Sequence, residues 1–321
     1  THTDLEEEEQ SGDGDAPVLP ALMTMNAQFE VLSEIVPEMN VLPSSSAAVA
    51  DEAAVSICWR PDGTAVAVST LDSSDSIRRI RTYKRDDLSL VSIGRSEDGS
   101  GKTVPNLLAP AGIAWSGIGC SQLITSVQRK GKRTDTPRLV VFFEPNGLRH
   151  KEFKLRPESG WEETVVGLSW NCNSDLLAVT LHCVRAGGTD GSEDDTGPTI
   201  QSKVQLWHRS NYHWYCKYEL RYDGAHVSMV NFDEERPHDV QVAIQESNSV
   251  EVRNYIFAWD ASTVSPDGTA ASIDGCLLNF TPFKQAMVPP PMYFATITMD
   301  APVLGVSSVP FCAGNVGGIS W

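Results

Sequence analysis

A short apolar segment that ends in tryptophan occurs three times in this sequence, at nearly equal intervals. The segments end at Trp59, Trp115 and Trp170, which are 56 and 55 residues apart. Each is followed by a second segment of strand-like composition, and a fourth copy at 227–232 carries Phe232 in place of tryptophan. Such a repeat constrains the fold strongly, because stacked copies bury a continuous core that one copy cannot bury alone.

Each copy predicts a four-stranded sheet. In the first copy, Pro61, Asp62 and Gly63 separate two strands with the residues that a tight turn requires. A third strand follows in every copy, and fourth strands are predicted at 151–155 and 215–220. No segment shows helical periodicity over three turns. Four-stranded units lengthened by loop insertions indicate an all-β fold, a WD-repeat-like β-propeller.

The number of copies predicts an incomplete ring. Four copies lie within residues 55–257, and a new strand follows the proline run at 289–291. We therefore expect a disordered acidic tail at 1–20 and, at 21–288, propeller blades from the back part of a first propeller. Residues 289–321 are expected to form a Pro-rich connection and the start of a second propeller.

Aromatic residues concentrate in one strand–turn–strand segment. Its first strand, 204–207, alternates apolar and polar residues as a half-buried strand does and ends in Trp207. The block that follows contains Asn211, Tyr212, His213, Trp214 and Tyr215. Tyr and Trp side chains in strands usually pack in the interior. We therefore expect the block to fill the space between blades, with a partner surface as the alternative, and we expect Trp59, Trp115 and Trp170 to be core residues.

Five motifs indicate a family, and two of them are more specific than the repeat. These two are Phe-Phe-Glu-Pro-Asn-Gly-Leu-Arg-His, which ends the motif at 140–150, and Asn-Tyr-His-Trp-Tyr at 211–215. The others are Val-Ser-Ile-Cys-Trp-Arg-Pro-Asp-Gly at 55–63, Val-Gln-Leu-Trp at 204–207 and Val-Pro-Pro-Pro-Met-Tyr at 288–293. In this order and spacing the motifs resemble the amino-terminal double-propeller region of the largest scaffold subunit of the Elongator complex. The resemblance covers residues 22–307.

The resemblance implies a non-catalytic scaffold role. In that family the propellers support a complex that modifies wobble uridines in tRNA, and the radical and acetyl-transfer chemistry belongs to a different subunit. The implied partners are the other Elongator subunits, with tRNA contacted only indirectly or weakly through this region. Dimerisation of the complex is implied for regions outside this chain.

Charge and hydropathy argue against two other classes of protein. The formal net charge of −17 argues against a general affinity for nucleic-acid backbones. No run of about 18 apolar residues is present, and the acidic first nine residues are the reverse of a signal-peptide n-region. The seven cysteines contain no Cys-x-x-Cys pair and are expected to be reduced thiols, which predicts a cytoplasmic location with the nucleus also open.

Basic clusters are the candidate contact sites for RNA or an acidic partner. One lies between 78 and 85, a second contains Arg129, Lys130, Lys132 and Arg133, and a third contains Arg149, His150 and Lys151. We expect each to be a solvated strand edge or turn. The functional alternative is that two of the clusters adjoin on one propeller rim and contact an acidic partner or RNA.

Enzyme motifs are weak throughout. Residues 96–103 end like a phosphate-binding loop, but Ser96 stands where the first glycine is needed, and Pro105 follows where a helix should begin. Neither a zinc-site spacing nor a serine-hydrolase elbow is present. We therefore expect no catalytic residue, no metal and no cofactor. The alternatives are a propeller enzyme or ligand-binding module with a central-channel site, and a scaffold of another complex.

Overall fold

The structure, a computed structural model, contains only strands, turns and irregular segments where it describes the chain. The described residues are 22–25, 31–35, 55–71, 78–94, 112–117, 122–129, 138–185, 199–210, 213–246, 249–257, 262–285, 288 and 292–307. The all-β prediction is confirmed for this part of the chain, and none of it forms a helix that could span a membrane. The predicted acidic tail at 1–20 lies outside these residues.

The strands form six antiparallel sheets, of which the last five are called blades 1 to 5 here. The small first sheet pairs β1 (Leu22–Met25) with β2 (Val31–Ile35). Blade 1 contains β3 (Ser56–Trp59), β4 (Ala65–Leu71), β5 (Arg78–Lys84) and β6 (Leu90–Ile93). Blade 2 contains β7 (Ala114–Trp115), β8 (Ile124–Arg129), β9 (Arg138–Phe143) and β10 (Arg149–Lys154).

Blade 3 has the longest strands, which are β11 (Glu162–Trp170), β12 (Leu176–Arg185), β13 (Thr199–Ser210) and β14 (His213–Asp223). Blade 4 has three, namely β15 (His226–Phe232), β16 (Asp239–Glu246) and β17 (Ser249–Ile256). Blade 5 contains β18 (Ser262–Val264), β19 (Thr269–Asp274), β20 (Leu277–Pro282) and β21 (Ala295–Thr298). The boundary predicted at 288–289 falls inside blade 5, between β20 and β21.

Within every blade the strands lie side by side in chain order, as in propeller blades. The described blades do not close into a ring, which agrees with the prediction of an incomplete propeller. In the first turn, Asp62 Oδ1 accepts the Thr64 backbone N–H at 3.0 Å. Gly63 has a φ of +68°, which a residue with a Cβ rarely adopts. The turn predicted from Pro61, Asp62 and Gly63 is confirmed.

The core lies between successive blades. Strand residues alternate between the two faces of a sheet, and Val140 and Phe142 of β9 therefore pack toward blade 3. There they meet Leu177, Val179 and Trp207 in one buried cluster. Equivalent clusters lie between blades 1 and 2 and between blades 3 and 4. Blade-on-blade packing is thus the main source of burial in the fold.

The repeated tryptophans have different environments. Trp115 is buried and donates its ring N–H to the Gln122 carbonyl at 2.9 Å. Trp170 is half-buried between blades 2 and 3. The prediction that Trp59 is a core residue is wrong, because 48% of it is exposed. Cys58 turns toward the blade 2 cluster, and the alternation of β3 therefore places Trp59 on the opposite face of blade 1.

Candidate interaction surfaces and their support

The basic clusters at 129–133 and 149–151 lie on blade 2 as far as they are described, and the cluster at 78–85 lies on and directly after β5 of blade 1. Arg149 and Lys151 are on β10, at the outer edge of the sheet. Arg149 forms an ion pair with Glu152, and Lys151 is exposed. Arg129 is the last residue of β8. The other members of its cluster lie outside the described residues; they are Lys130, Lys132 and Arg133.

The strand pairing of blade 2 separates Arg129 from Arg149. Arg129 is paired with Arg138 at one end of β9, whereas Arg149 is paired with Phe143 at the other end. Five residues of strand correspond to about 16 Å. The backbone positions of Arg129 and Arg149 therefore lie at opposite ends of blade 2, and the sheet does not make one continuous basic surface from them.

The aromatic block is largely interior. Trp214 stacks on Phe142 at a centroid distance of 5.3 Å and on Phe153 at 5.0 Å. Its ring also meets the edge of Trp170 at 5.6 Å, and Phe153 lies 4.7 Å from Trp207. These five residues are called the aromatic cluster below. Because Phe142 and Phe153 belong to blade 2 and the three tryptophans to blade 3, the cluster joins the two blades.

The remaining residues of the block have mixed exposure. Tyr215 is buried, and the Lys217 ammonium lies 5.0 Å from the centre of its ring. His213 is exposed. Asn211 and Tyr212 lie outside the described residues. The described aromatic side chains of the block thus pack between blades, which matches the expected filler role and leaves His213 as the part open to a partner.

A buried charge network fixes the segment that connects blade 2 to blade 3. Lys203 of β13 is 1% exposed and donates to Glu163 Oε1 at 2.8 Å. It also forms an ion pair with Glu158 in the connecting segment, and Arg221 Nη2 lies 3.0 Å from Glu158 Oε2. These four residues are called the charge network. A buried ammonium is tolerated only when such partners compensate for its lost hydration.

The partners of Lys203 also set its pKa. Burial alone would lower it, but the hydrogen bonds to Glu158 and Glu163 outweigh burial, so that the pKa of Lys203 is raised. The group is therefore held in its charged form. It is a structural cation, and sequence inspection missed it because Lys203 and Gln205 alternate with apolar residues as on a solvent-facing strand.

Acid is expected to destabilise the fold through Glu158. Burial raises the pKa of this carboxyl, but the hydrogen bond from Lys203 and the charges of Lys203 and Arg221 lower it by more, giving a net depression. Its stabilising contribution is then complete above the unfolded pKa of about 4.3 and is lost as the pH falls through the folded pKa. Thermal unfolding between about pH 7 and about pH 3 measures the effect. Glu158→Gln should weaken the dependence of thermal stability on pH below about pH 5. A pH profile identical to that of the wild type would contradict this role of Glu158.

Metal-ligating side chains do not cluster in the part of the chain that the structure describes, which contains no group of three or more His, Cys, Asp or Glu side chains placed to hold a metal ion. The loop at 96–103 lies outside the described residues. The charge network is internally paired.

Comparison with known proteins assigns the fold to a family. The sequence model described as "ELP1 first N-terminal beta-propeller" matches residues 22–235, two thirds of the chain. The chain belongs to this family. The model of the ELP1 N-terminal second beta-propeller matches residues 272–313. The ELP1 first-propeller match therefore contains blades 1 to 3 and β15, and the second-propeller match contains most of blade 5.

Full-length relatives of the ELP1 family are similar over most of this chain. Elongator complex protein 1 of Saccharomyces cerevisiae is 30% identical over 262 residues, which cover 80% of this chain and 17% of the relative. The protein of the same name from Oryctolagus cuniculus is 33% identical over 265 residues, covering 80% and 18%. That of Schizosaccharomyces pombe is 30% identical over 251 residues, covering 78% and 17%. The chain thus spans less than a fifth of the length of these relatives.

Proposed function

We propose that this chain is part of a non-catalytic scaffold subunit of an Elongator complex and supports wobble-uridine modification of tRNA through protein–protein interactions. The family match over residues 22–235 carries the proposal. Relatives from yeasts, vertebrates and a plant all have the name Elongator complex protein 1.

The packing of the described blades suits such a role. Adjacent sheets share buried clusters, the aromatic cluster joins blade 2 to blade 3, and the charge network holds the segment between them on blade 3. Rigidly stacked sheets hold their loops at fixed positions, which lets several partners bind at once. We propose the other Elongator subunits as these partners and the cytoplasm as the location, with dimerisation of the complex through regions outside this chain.

The basic residues are proposed as weak contacts with an acidic partner or with tRNA. The backbone positions of Arg129 and Arg149 lie at opposite ends of blade 2, so that the two clusters are expected to act separately. Salt should weaken either contact, because its strength depends on charge. No cofactor is required for this role.

Affinity purification tests the proposal. The tagged full chain, isolated from cells at low salt, is expected to recover other Elongator subunits in mass spectrometry. A variant with glutamate at Arg129, Lys130, Lys132 and Arg133 is expected to recover fewer subunits or less tRNA. Reversal of Arg149 and Lys151 tests the second contact separately, and reversal of Lys154, an exposed residue of β10 that belongs to neither cluster, is the control. Recovery of a different complex, or no enrichment over an unrelated acidic propeller, would overturn the scaffold assignment.

A further inference from the structure

A hairpin turn of blade 5 is seated on the outer strand of blade 3. The turn joins β19 to β20 and contains Asp274 and Gly275. Gly275 donates its backbone N–H to the Cys216 carbonyl at 2.6 Å. In return, the Cys216 backbone N–H donates to Asp274 Oδ1 at 3.0 Å. Both backbone groups of Cys216, on the strand at the edge of blade 3, are therefore satisfied by this one turn.

Two basic side chains complete the contact. Arg156, from the segment after β10, forms an ion pair with Asp274 Oδ2 and donates to the Asp274 carbonyl at 2.9 Å. Lys217 Nζ donates to the Ile273 carbonyl at 2.7 Å. Asp274 and Lys217 are 7% and 6% exposed. Asp274 is therefore a buried carboxylate with both oxygens bound, and every partner belongs to another sheet or its connection.

A hydrogen-bonded pair of tyrosines adds to the same contact. Tyr293, in the segment before β21, is hydrogen-bonded to Tyr215 of β14, and burial together with this bond raises the pKa of Tyr293. The contact thus extends along β14 from Tyr215 to Lys217. It involves three consecutive residues of blade 3 and two separate segments of blade 5.

The contact differs from the one between blades of the first propeller. On the outer strand of blade 1, Ser92 donates its hydroxyl to the Pro145 carbonyl at 2.7 Å, and Gly147 packs against Ile93. The blade 2 turn that contains Pro145 and Gly147 places no carboxylate on the strand that it covers. The blade 5 turn adds a buried charge and two hydrogen bonds to the backbone groups of Cys216, one from the Gly275 N–H and one to the Asp274 carboxylate, which are directional and specify one orientation.

The residues on the two sides match different propeller families. Cys216 and Arg156 lie within the first-propeller match, and Asp274 and Gly275 within the second. We propose that Asp274 is the positioning residue that fixes the second-propeller blade on the edge of blade 3 and so sets the angle between the two propeller regions. The proposal goes beyond the scaffold function and holds whichever complex the chain joins.

Loss of the Asp274 carboxylate would leave the buried Cys216 N–H without its acceptor, and an unpaired buried donor is costly. It would also remove the ion-pair partner of Arg156, whose side chain is 47% exposed and stays hydrated. Alanine at this position should therefore open the junction more often, while the inter-blade clusters of the first propeller stay closed. Cys216 can report such opening, because it lies directly beside Gly275. A methyl group on Gly275 would be only 3.5 Å from the Cys216 Cβ.

Thiol alkylation of the full chain tests the proposal. Cys216 is 4% exposed, and burial raises the pKa of its thiol well above the usual value, so that it reacts slowly while the junction is closed. Cys183 is 0% exposed in the core of blade 3 and serves as the internal reference for global unfolding. Peptide mass spectrometry after iodoacetamide treatment gives the two alkylation rates separately.

Asp274→Ala is expected to raise the Cys216 rate at least tenfold and to leave the Cys183 rate unchanged. The matched control is Asp267→Ala in the other hairpin turn of blade 5, where the carboxylate is exposed and bonds only within its own turn. It should change neither rate. If Asp274→Ala raises both rates, Asp274→Asn decides, since it keeps an acceptor for the Cys216 N–H and loses only the charge. In that case a rise confined to Cys216 in the Asn variant supports the proposal, and any other result in that variant overturns it. An unchanged Cys216 rate in folded Asp274→Ala also overturns it.

Discussion

Replacing Trp170 with alanine is expected to lower the free energy of unfolding by about 3–5 kcal/mol. The indole donates its N–H to Thr125 Oγ1 at 2.8 Å and packs against Phe142 and Trp214 in the aromatic cluster. Its removal leaves a cavity between blades 2 and 3 and strands a hydroxyl there. Urea denaturation followed by circular dichroism measures the loss.

Trp59→Ala is the matched control. Trp59 occupies the same place in the repeat but is 48% exposed, so that its loss should cost about 1 kcal/mol or less. Comparison of the two variants shows whether a tryptophan stabilises the fold because of its position in the repeat or because it is buried. Equal losses in the two variants would contradict the blade-on-blade arrangement.

Lys203→Met should also destabilise the chain by about 3–5 kcal/mol, because it leaves the buried carboxylate of Glu163 without its cation. Glu163 is 5% exposed and has Lys203 as its ion-pair partner, so that the remaining charge cannot reach bulk water without local opening. Denaturant midpoints of the variant and the wild type give the difference in stability.

The double variant Lys203→Met with Glu163→Gln tests the mechanism. It removes the stranded charge and should recover part of the loss, which gives a favourable coupling energy in the double-mutant cycle. Lys154→Met, on the exposed face of β10, should change stability by no more than about 0.5 kcal/mol. If Lys203→Met alone lowers stability as little as Lys154→Met does, the charge network does not stabilise the fold.

The architecture could be predicted from the sequence because it follows from a repeated local pattern. Strands with period-two alternation and turn residues such as Gly63 are short-range features, and the stacking of the copies then follows from the need to bury both faces. The exposure of Trp59 could not be predicted in the same way. It depends on which face of blade 1 meets blade 2, and that is set by long-range packing.

The polar contacts were beyond sequence inspection for a related reason. Lys203 alternates with apolar residues and therefore resembles a solvent-facing residue, but its face is covered by the segment that carries Glu158. Asp274 and Gly275 resemble an ordinary surface turn in the sequence, and only the fold places them on Cys216. The separation of Arg129 from Arg149 likewise follows from strand direction, which residue spacing alone does not reveal.

The exposed edge strand of blade 4 should affect the behaviour of the chain in solution. The outer edge of β17 pairs with no other strand among the described residues, and Val250 and Ile256 on this strand are 65% and 77% exposed. An edge of this kind can recruit a strand from a neighbouring molecule. The net charge of −17 opposes such recruitment by repulsion, and added salt screens that repulsion. Ionic strength should therefore govern whether concentrated samples stay dispersed.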